Sequence, residues 1–123
     1  MRIISNDSVS FQYSSPLKTL FKEGKMPTVK YGFYGAKLTK QNVSLEHLQP
    51  HSKGGPSCLR NYVLATQENN KLRGNDDIKN HFNLGDALRY LQQFVDIKLP
   101  RFDGNKYISD ILNTLRKLGV NFE

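Results

Sequence analysis

The chain has 123 residues, enough for one domain with a modest core and too few for two. Its formal net charge of +7 suits a polyanionic partner, and its single cysteine, Cys58, excludes both an internal disulfide and a paired-cysteine zinc ribbon, leaving a buried or loop thiol. No segment has the apolar length of a membrane span or a signal-peptide core, so an intracellular, cytoplasmic protein without a membrane partner is expected.

At the start of the chain, Arg2 to Ile4 and Val9-x-Phe11-x-Tyr13 flank Ser5-Asn6-Asp7 and read as a small hairpin. Ser15 as N-cap, Pro16 at the first helical position and Gly24 past the last turn bound a short helix from Leu17 to Glu23. Leu17, Leu20 and Phe21 are its buried stripe. Met26 to Gly35 reads as extended, with rings at Tyr31, Phe33 and Tyr34 that belong to the core or, alternatively, stack on bases. Between Ser14 and Lys40, six lysines (Lys18, Lys22, Lys25, Lys30, Lys37 and Lys40) stand against Glu23 alone. A backbone-tracking face that includes Lys25, Lys30 and Lys37 accounts for this, and so does a plain solvated face.

The stretch from Val43 to Asn75 carries the functional information. Val43 and Leu45 alternate up to Glu46-His47, after which Pro50, Ser52, Gly54 and Gly55 break any regular structure: a strand enters a loop. Asn61 leads a second β-prone run, Asn-Tyr-Val-Leu. Thr66, Gln67 and Glu68 then supply an N-cap and an acidic first turn for a short helix that stops at Gly74. Adjacent side chains on a regular strand face opposite ways, so Glu46 and His47 can serve one ligand only if the pleat breaks or they approach from different sides.

The pattern Glu46-His47, Pro50-x-Ser52-x-Gly54-Gly55, Asn61, Asn70 and Lys71-x-Arg73-Gly74 resembles the HNH endonuclease motif. The resemblance covers about the middle quarter of the chain. It departs at Glu46, where the family more often has Asp; at Asn70 the family has either His or Asn. It implies a ββα-metal (His-Me finger) unit over about 42–75 and a metal-dependent endonuclease or nickase acting on DNA with one divalent cation, Mg²⁺ or Mn²⁺. Small free-standing HNH proteins occur in phages and mobile elements, so packaging, homing and restriction are all open, as are a phage packaging partner and the choice between monomer and homodimer.

The chemistry assigns parts within that resemblance. Hydrolysing a phosphodiester needs a deprotonated water and positive charge where negative charge develops. A neutral histidine suits the first task, which makes His47 the general base. A carboxylate and an amide carbonyl are hard oxygen ligands, which makes Glu46 and Asn70 the metal ligands. Asn61 can donate and accept, and so can tie the loop after His47 to the second strand. Arg73, three positions beyond Asn70 on one helix face, is placed to hold a nonbridging phosphate oxygen. Lys53 and Lys71 join Lys25, Lys30, Lys37 and Arg73 as nucleic-acid contacts, with a solvated position as the alternative for Lys71. His51 reads as a solvated or phosphate-contacting loop residue, His81 as part of a turn or helix start, and Asp76 and Asp77 as caps rather than a metal pair. A non-catalytic nucleic-acid-binding module on the same scaffold and an HNH-type ribonuclease are the rival functions.

Toward the C-terminus, Asn83 caps a helix expected from Leu84 to about Leu99, with Leu84, Ala87, Leu88, Leu91, Phe94 and Val95 at helical spacing and Pro100 as its end. A second helix, about Lys106 to Leu118, carries Ile108, Ile111, Leu112, Leu115 and Leu118 before Gly119. The two stripes are expected to pack on each other and on the back of the ββα unit, a dimer seam being the alternative. The fold class is therefore α+β: one domain over 1–123, with the ββα-metal unit braced by the N-terminal extended and helical segment and by two C-terminal helices over about 83–119.

Overall fold

The structure, a computed structural model that describes residues 16–122, is an α+β fold. In chain order it comprises α1 (Pro16–Lys22), β1 (Val43–His47), β2 (Tyr62–Thr66), α2 (Gln67–Arg73), α3 (Leu84–Gln92), β3 (Lys98–Leu99), β4 (Phe102–Asp103) and α4 (Gly104–Lys117). The hairpin expected between Arg2 and Tyr13 lies outside the described residues. No helix among the described residues is long and apolar enough to cross a membrane.

Helix α1 is described from Pro16, the expected cap Ser15 lying outside the described residues, and it buries Leu17 completely while Leu20 and Phe21 pack on the core edge. The segment after it is not extended, as the aromatic run suggested. Gly32 and Gly35 close a turn held by Gly35 N–H to Gly32 O at 3.0 Å, and only Tyr31 and Lys37 form a bridge. The turn drops the Phe33 ring into the core, where it meets Tyr90 edge-on at 5.9 Å.

Strands β1 and β2 pair antiparallel in unbroken register, from Val43 opposite Thr66 to His47 opposite Tyr62. Every residue of β2 is buried. A two-stranded ribbon leaves one edge of each strand unpaired, and for a buried strand those polar groups need partners. Side chains from the C-terminal helices meet that need on β2. Tyr90 of α3 accepts the Leu64 N–H at 2.9 Å, Tyr107 of α4 donates to the Tyr62 carbonyl at 2.7 Å, and Phe33 N–H donates to the Leu64 carbonyl at 2.8 Å. The two phenols also bond each other at 2.8 Å, and burial pushes both pKa values up, so both stay protonated. Helices α3 and α4 thus brace the ribbon through polar contacts as well as through Ala87, Leu91, Phe94, Ile111 and Leu115.

Helix α3 ends at Gln92, well short of Leu99. Asp96 takes φ 62°, a left-handed conformation that no helix interior accepts, and the chain turns into the β3–β4 hairpin. Pro100 belongs to that hairpin's connection and not to a helix end. Of the expected stripe, Ala87, Leu91 and Phe94 are buried, whereas Leu84, Leu88 and Val95 are exposed, because the early stop turns Val95 away from the core. Helix α4 begins at Gly104, two residues before the expected Lys106. The Asp103 carboxylate accepts from the N–H groups of Asn105 and Lys106, an N-cap that fixes the start. Glycine is required there, since a Cβ would fall 1.9 Å from the Phe94 carbonyl oxygen.

Tyr90→Phe keeps the ring and removes only the hydroxyl, stranding the Leu64 amide in the core and leaving Tyr107 with the Tyr62 carbonyl but without its phenol neighbour. A loss of about 1–3 kcal/mol is expected for one buried group left unsatisfied. Chemical denaturation should show it as a lowered midpoint at unchanged slope.

Candidate active site

The loop between β1 and β2 is held by one buried side chain. Asn61 accepts the Gln49 N–H at 2.9 Å through Oδ1 and donates through Nδ2 to the carbonyls of Gln49 and Pro56, both at 3.0 Å. Its own carbonyl accepts from the Leu48 N–H at 2.9 Å. The amide therefore clamps the two ends of the loop, as its paired donor and acceptor allow. The closeness excludes side chains: a Cβ on Gly55 would sit 1.9 Å from the Gln49 carbonyl oxygen.

His47 ends β1 half-exposed, its ring edge-on to Tyr62 at 4.8 Å and its Nε2 3.5 Å from Ser57 Oγ. Partial burial, then the neighbouring His51 and Arg73, hold its pKa below the usual 6.5, favouring the neutral imidazole. The β1 register runs without a break through Glu46 and His47, so the two side chains leave opposite faces of the ribbon. They still border one cleft of about 320 Å³, because the loop residues Pro50, His51 and Ser52 fold back past the strand end.

The far wall of that cleft is α2. Thr66 caps this helix by accepting the Asn69 N–H at 3.1 Å, and Gly74 ends it at φ 58°, as the sequence predicts. Asn70 donates from Nδ2 to Ser44 Oγ at 3.0 Å and to the Leu45 carbonyl at 3.2 Å. A backbone carbonyl can only accept, so this pair of bonds fixes the amide orientation. Among the described residues no hydrogen bond engages Oδ1, and Asn70 lines the cleft.

Glu46 is almost fully buried. Its Oε2 accepts the Tyr34 hydroxyl at 2.6 Å and lies 3.4 Å from Arg73, while no hydrogen bond among the described residues engages Oε1. Burial pushes the carboxyl pKa up, and the Tyr34 hydroxyl and Arg73 pull it back only in part. Arg73 is itself buried, and each of its three guanidinium nitrogens is engaged: Nε donates to Asp76 O at 2.9 Å, one terminal nitrogen to His47 O and the other to Leu48 O at 2.6 Å. The role expected for Arg73 as a phosphate clamp is therefore corrected. It pins the end of β1 to α2 and neutralises Glu46 from inside.

The donor set fits a small divalent cation. Glu46 and Asn70 line one cleft and offer one carboxylate and one amide oxygen, hard donors of the type suited to a cation that keeps several waters. Among the described residues there is no group of three or more His, Cys, Asp or Glu side chains placed to hold a metal.

The lysines separate from this cleft. Lys25, Lys30, Lys37 and Lys71 are exposed and none lines it; Lys53 borders the neighbouring cleft, paired with Asp77 at 2.8 Å. His51 is exposed in the loop, and His81 pairs with Asp76 at 2.9 Å after a 3-10 turn at Ile78–Asn80. Asp76 accepts from Asp77 N–H and Asn80, which is local capping. Cys58 is half-buried. Sequence reasoning missed Tyr34 and Ser44, which orient Glu46 and Asn70. Tyr34 stood out only as one ring in an aromatic run, and Ser44 gave no signal. No family model, curated protein or solved structure matches the chain.

Proposed function

We propose that the chain is a metal-dependent endonuclease or nickase of HNH type, hydrolysing DNA phosphodiester bonds, with the β1–β2–α2 segment as its ββα-metal unit. The observation that carries this reading is the meeting of Glu46, His47 and Asn70 on one cleft, each with a chemically suitable atom uncommitted or held ready.

In this reading neutral His47 takes the proton from the attacking water. Glu46 and Asn70 would hold one Mg²⁺ or Mn²⁺, which when bound supplies positive charge to the phosphate oxygens as negative charge develops. Tyr34 and Ser44 act as positioning residues for the two ligands, and Asn61 fixes the loop that closes the cleft. The Arg73 guanidinium 3.4 Å from Glu46 supports a second reading, a nucleic-acid-binding module without turnover, because it already balances the carboxylate charge.

The deciding assay incubates the purified protein with supercoiled plasmid, linear duplex, single-stranded DNA and RNA, each with Mg²⁺, Mn²⁺ or chelator. Nicked or linear DNA with either metal and none with chelator is the expected result. Binding without cleavage in every arm selects the module, and cleavage of RNA alone selects a ribonuclease.

A further inference from the structure

Pro50 is shared between the cleft holding Glu46, His47 and Asn70 and a neighbouring one of about 370 Å³. The neighbour has lysines on its walls, Lys53, Lys79 and Lys117, over a floor that includes Leu48, Ile78 and Leu118. Through Gln49, Lys117 and Leu118 it continues into a third cleft of about 210 Å³ that reaches Arg60. The second and third clefts thus form one furrow between the β1–β2 loop and the end of α4, and it adjoins the candidate active site at Pro50.

Among the described residues its charge is not cancelled locally. Asp77 is, among the described residues, the only acidic side chain lining these two neighbouring clefts, and it pairs with Lys53 where both are about half exposed; Lys79 acts on Asp77 at longer range. Among the described residues no salt bridge reaches Arg60, Lys79 or Lys117, and all three are exposed. The C-terminus of α4 opposes them with about half a negative charge, which these cations outweigh. An apolar floor beneath charges of one sign concentrates their field in the furrow.

We propose that this furrow, and not the Lys25–Lys37 face, carries the sugar–phosphate backbone of a nucleic-acid strand on its way from the cleft, with Arg60, Lys79 and Lys117 as the phosphate contacts. The assignment rests on the reading that the cleft acts on nucleic acid, and the furrow's positive charge beside that cleft is what selects a phosphate backbone as the occupant. The side chains are point charges with one guanidinium, so the furrow positions a strand without reading its sequence.

The test is a salt titration of binding to a short fluorescein-labelled DNA duplex, followed by anisotropy in chelator. Three proteins are compared: wild type, Arg60→Gln/Lys79→Gln/Lys117→Gln, and Lys25→Gln/Lys30→Gln/Lys37→Gln. The furrow variant should lose about 2–3 from the slope of log K against log salt, at about 0.9 per phosphate contact, while the other keeps the wild-type slope. Melting curves confirm that all three are folded. An unchanged slope in the furrow variant, a loss confined to the other variant, or a wild type that does not bind overturns the proposal. Plasmid cleavage by the same proteins is scored separately. A wild type that binds as expected but never cuts defeats the nuclease reading alone, and one that cuts while the furrow variant keeps its salt slope defeats the furrow alone.

Discussion

His47→Ala is expected to slow plasmid cleavage by about 100-fold or more, the usual cost of losing a positioned general base, while DNA affinity in chelator stays near wild type. His47 lies in a cleft border and contributes little to the core, so melting should change little. The same role fixes a pH dependence. The active form is the neutral imidazole, whose fraction rises with pH, and burial together with His51 and Arg73 disfavours the imidazolium. Wild-type cleavage should therefore climb on the acid side with a midpoint below 6.5 and level off above it. Turnover near normal in the alanine variant, or an acid limb centred above that value, would remove His47 from the role.

Arg73→Ala should have the largest effect on stability. It strands three backbone carbonyls and leaves the Glu46 carboxylate buried beside Tyr34 with no cation. Breaking a buried pair from one side costs about 3–5 kcal/mol, a large share of the roughly 5–15 kcal/mol that holds a domain together. For a chain of this size that corresponds to a fall of roughly 12–20 °C in melting temperature. Arg73→Lys should recover only part, because an ammonium cannot reach three acceptors in a fork. Thermal unfolding by circular dichroism decides between the two roles: a phosphate clamp predicts lost cleavage at an unchanged melting temperature, and a structural pin predicts the reverse order of severity.

The parts of this fold that local chemistry specifies were legible in the sequence. Thr66 and Gly74 bound α2 because capping and left-handed geometry depend on nearby backbone alone. Strand β1 followed from a short alternating run and β2 from a β-prone one, although the latter begins at Tyr62, after Asn61 has closed a 3-10 turn. What the sequence hid depends on partners brought together by folding. Arg73 looked like a phosphate ligand by helix spacing, yet its acceptors are carbonyls of Leu48 and His47, which reach it only once β1 lies against α2. Tyr34 could be seen only as a ring, since its hydroxyl finds Glu46 across a turn. Helix α3 was drawn too long because Phe94 and Val95 keep its spacing, while the left-handed Asp96 that ends the run is a residue type that tolerates either conformation. Asp103 before Gly104 was a readable start signal for α4 that apolar spacing overrode.

The two tyrosines on the edge of β2 bear on how the protein can be cut down. A fragment spanning the ribbon and α2 would contain Glu46, His47, Asn61 and Asn70, and so would seem a minimal enzyme. It would also expose the Leu64 amide and the Tyr62 carbonyl along a strand that is wholly buried in the full chain, since Tyr90 and Tyr107 would be gone. Such an edge recruits the nearest extended chain. The excised piece should therefore self-associate at concentrations where the full chain does not, and grafting it into another scaffold would require a donor and an acceptor supplied at those two positions.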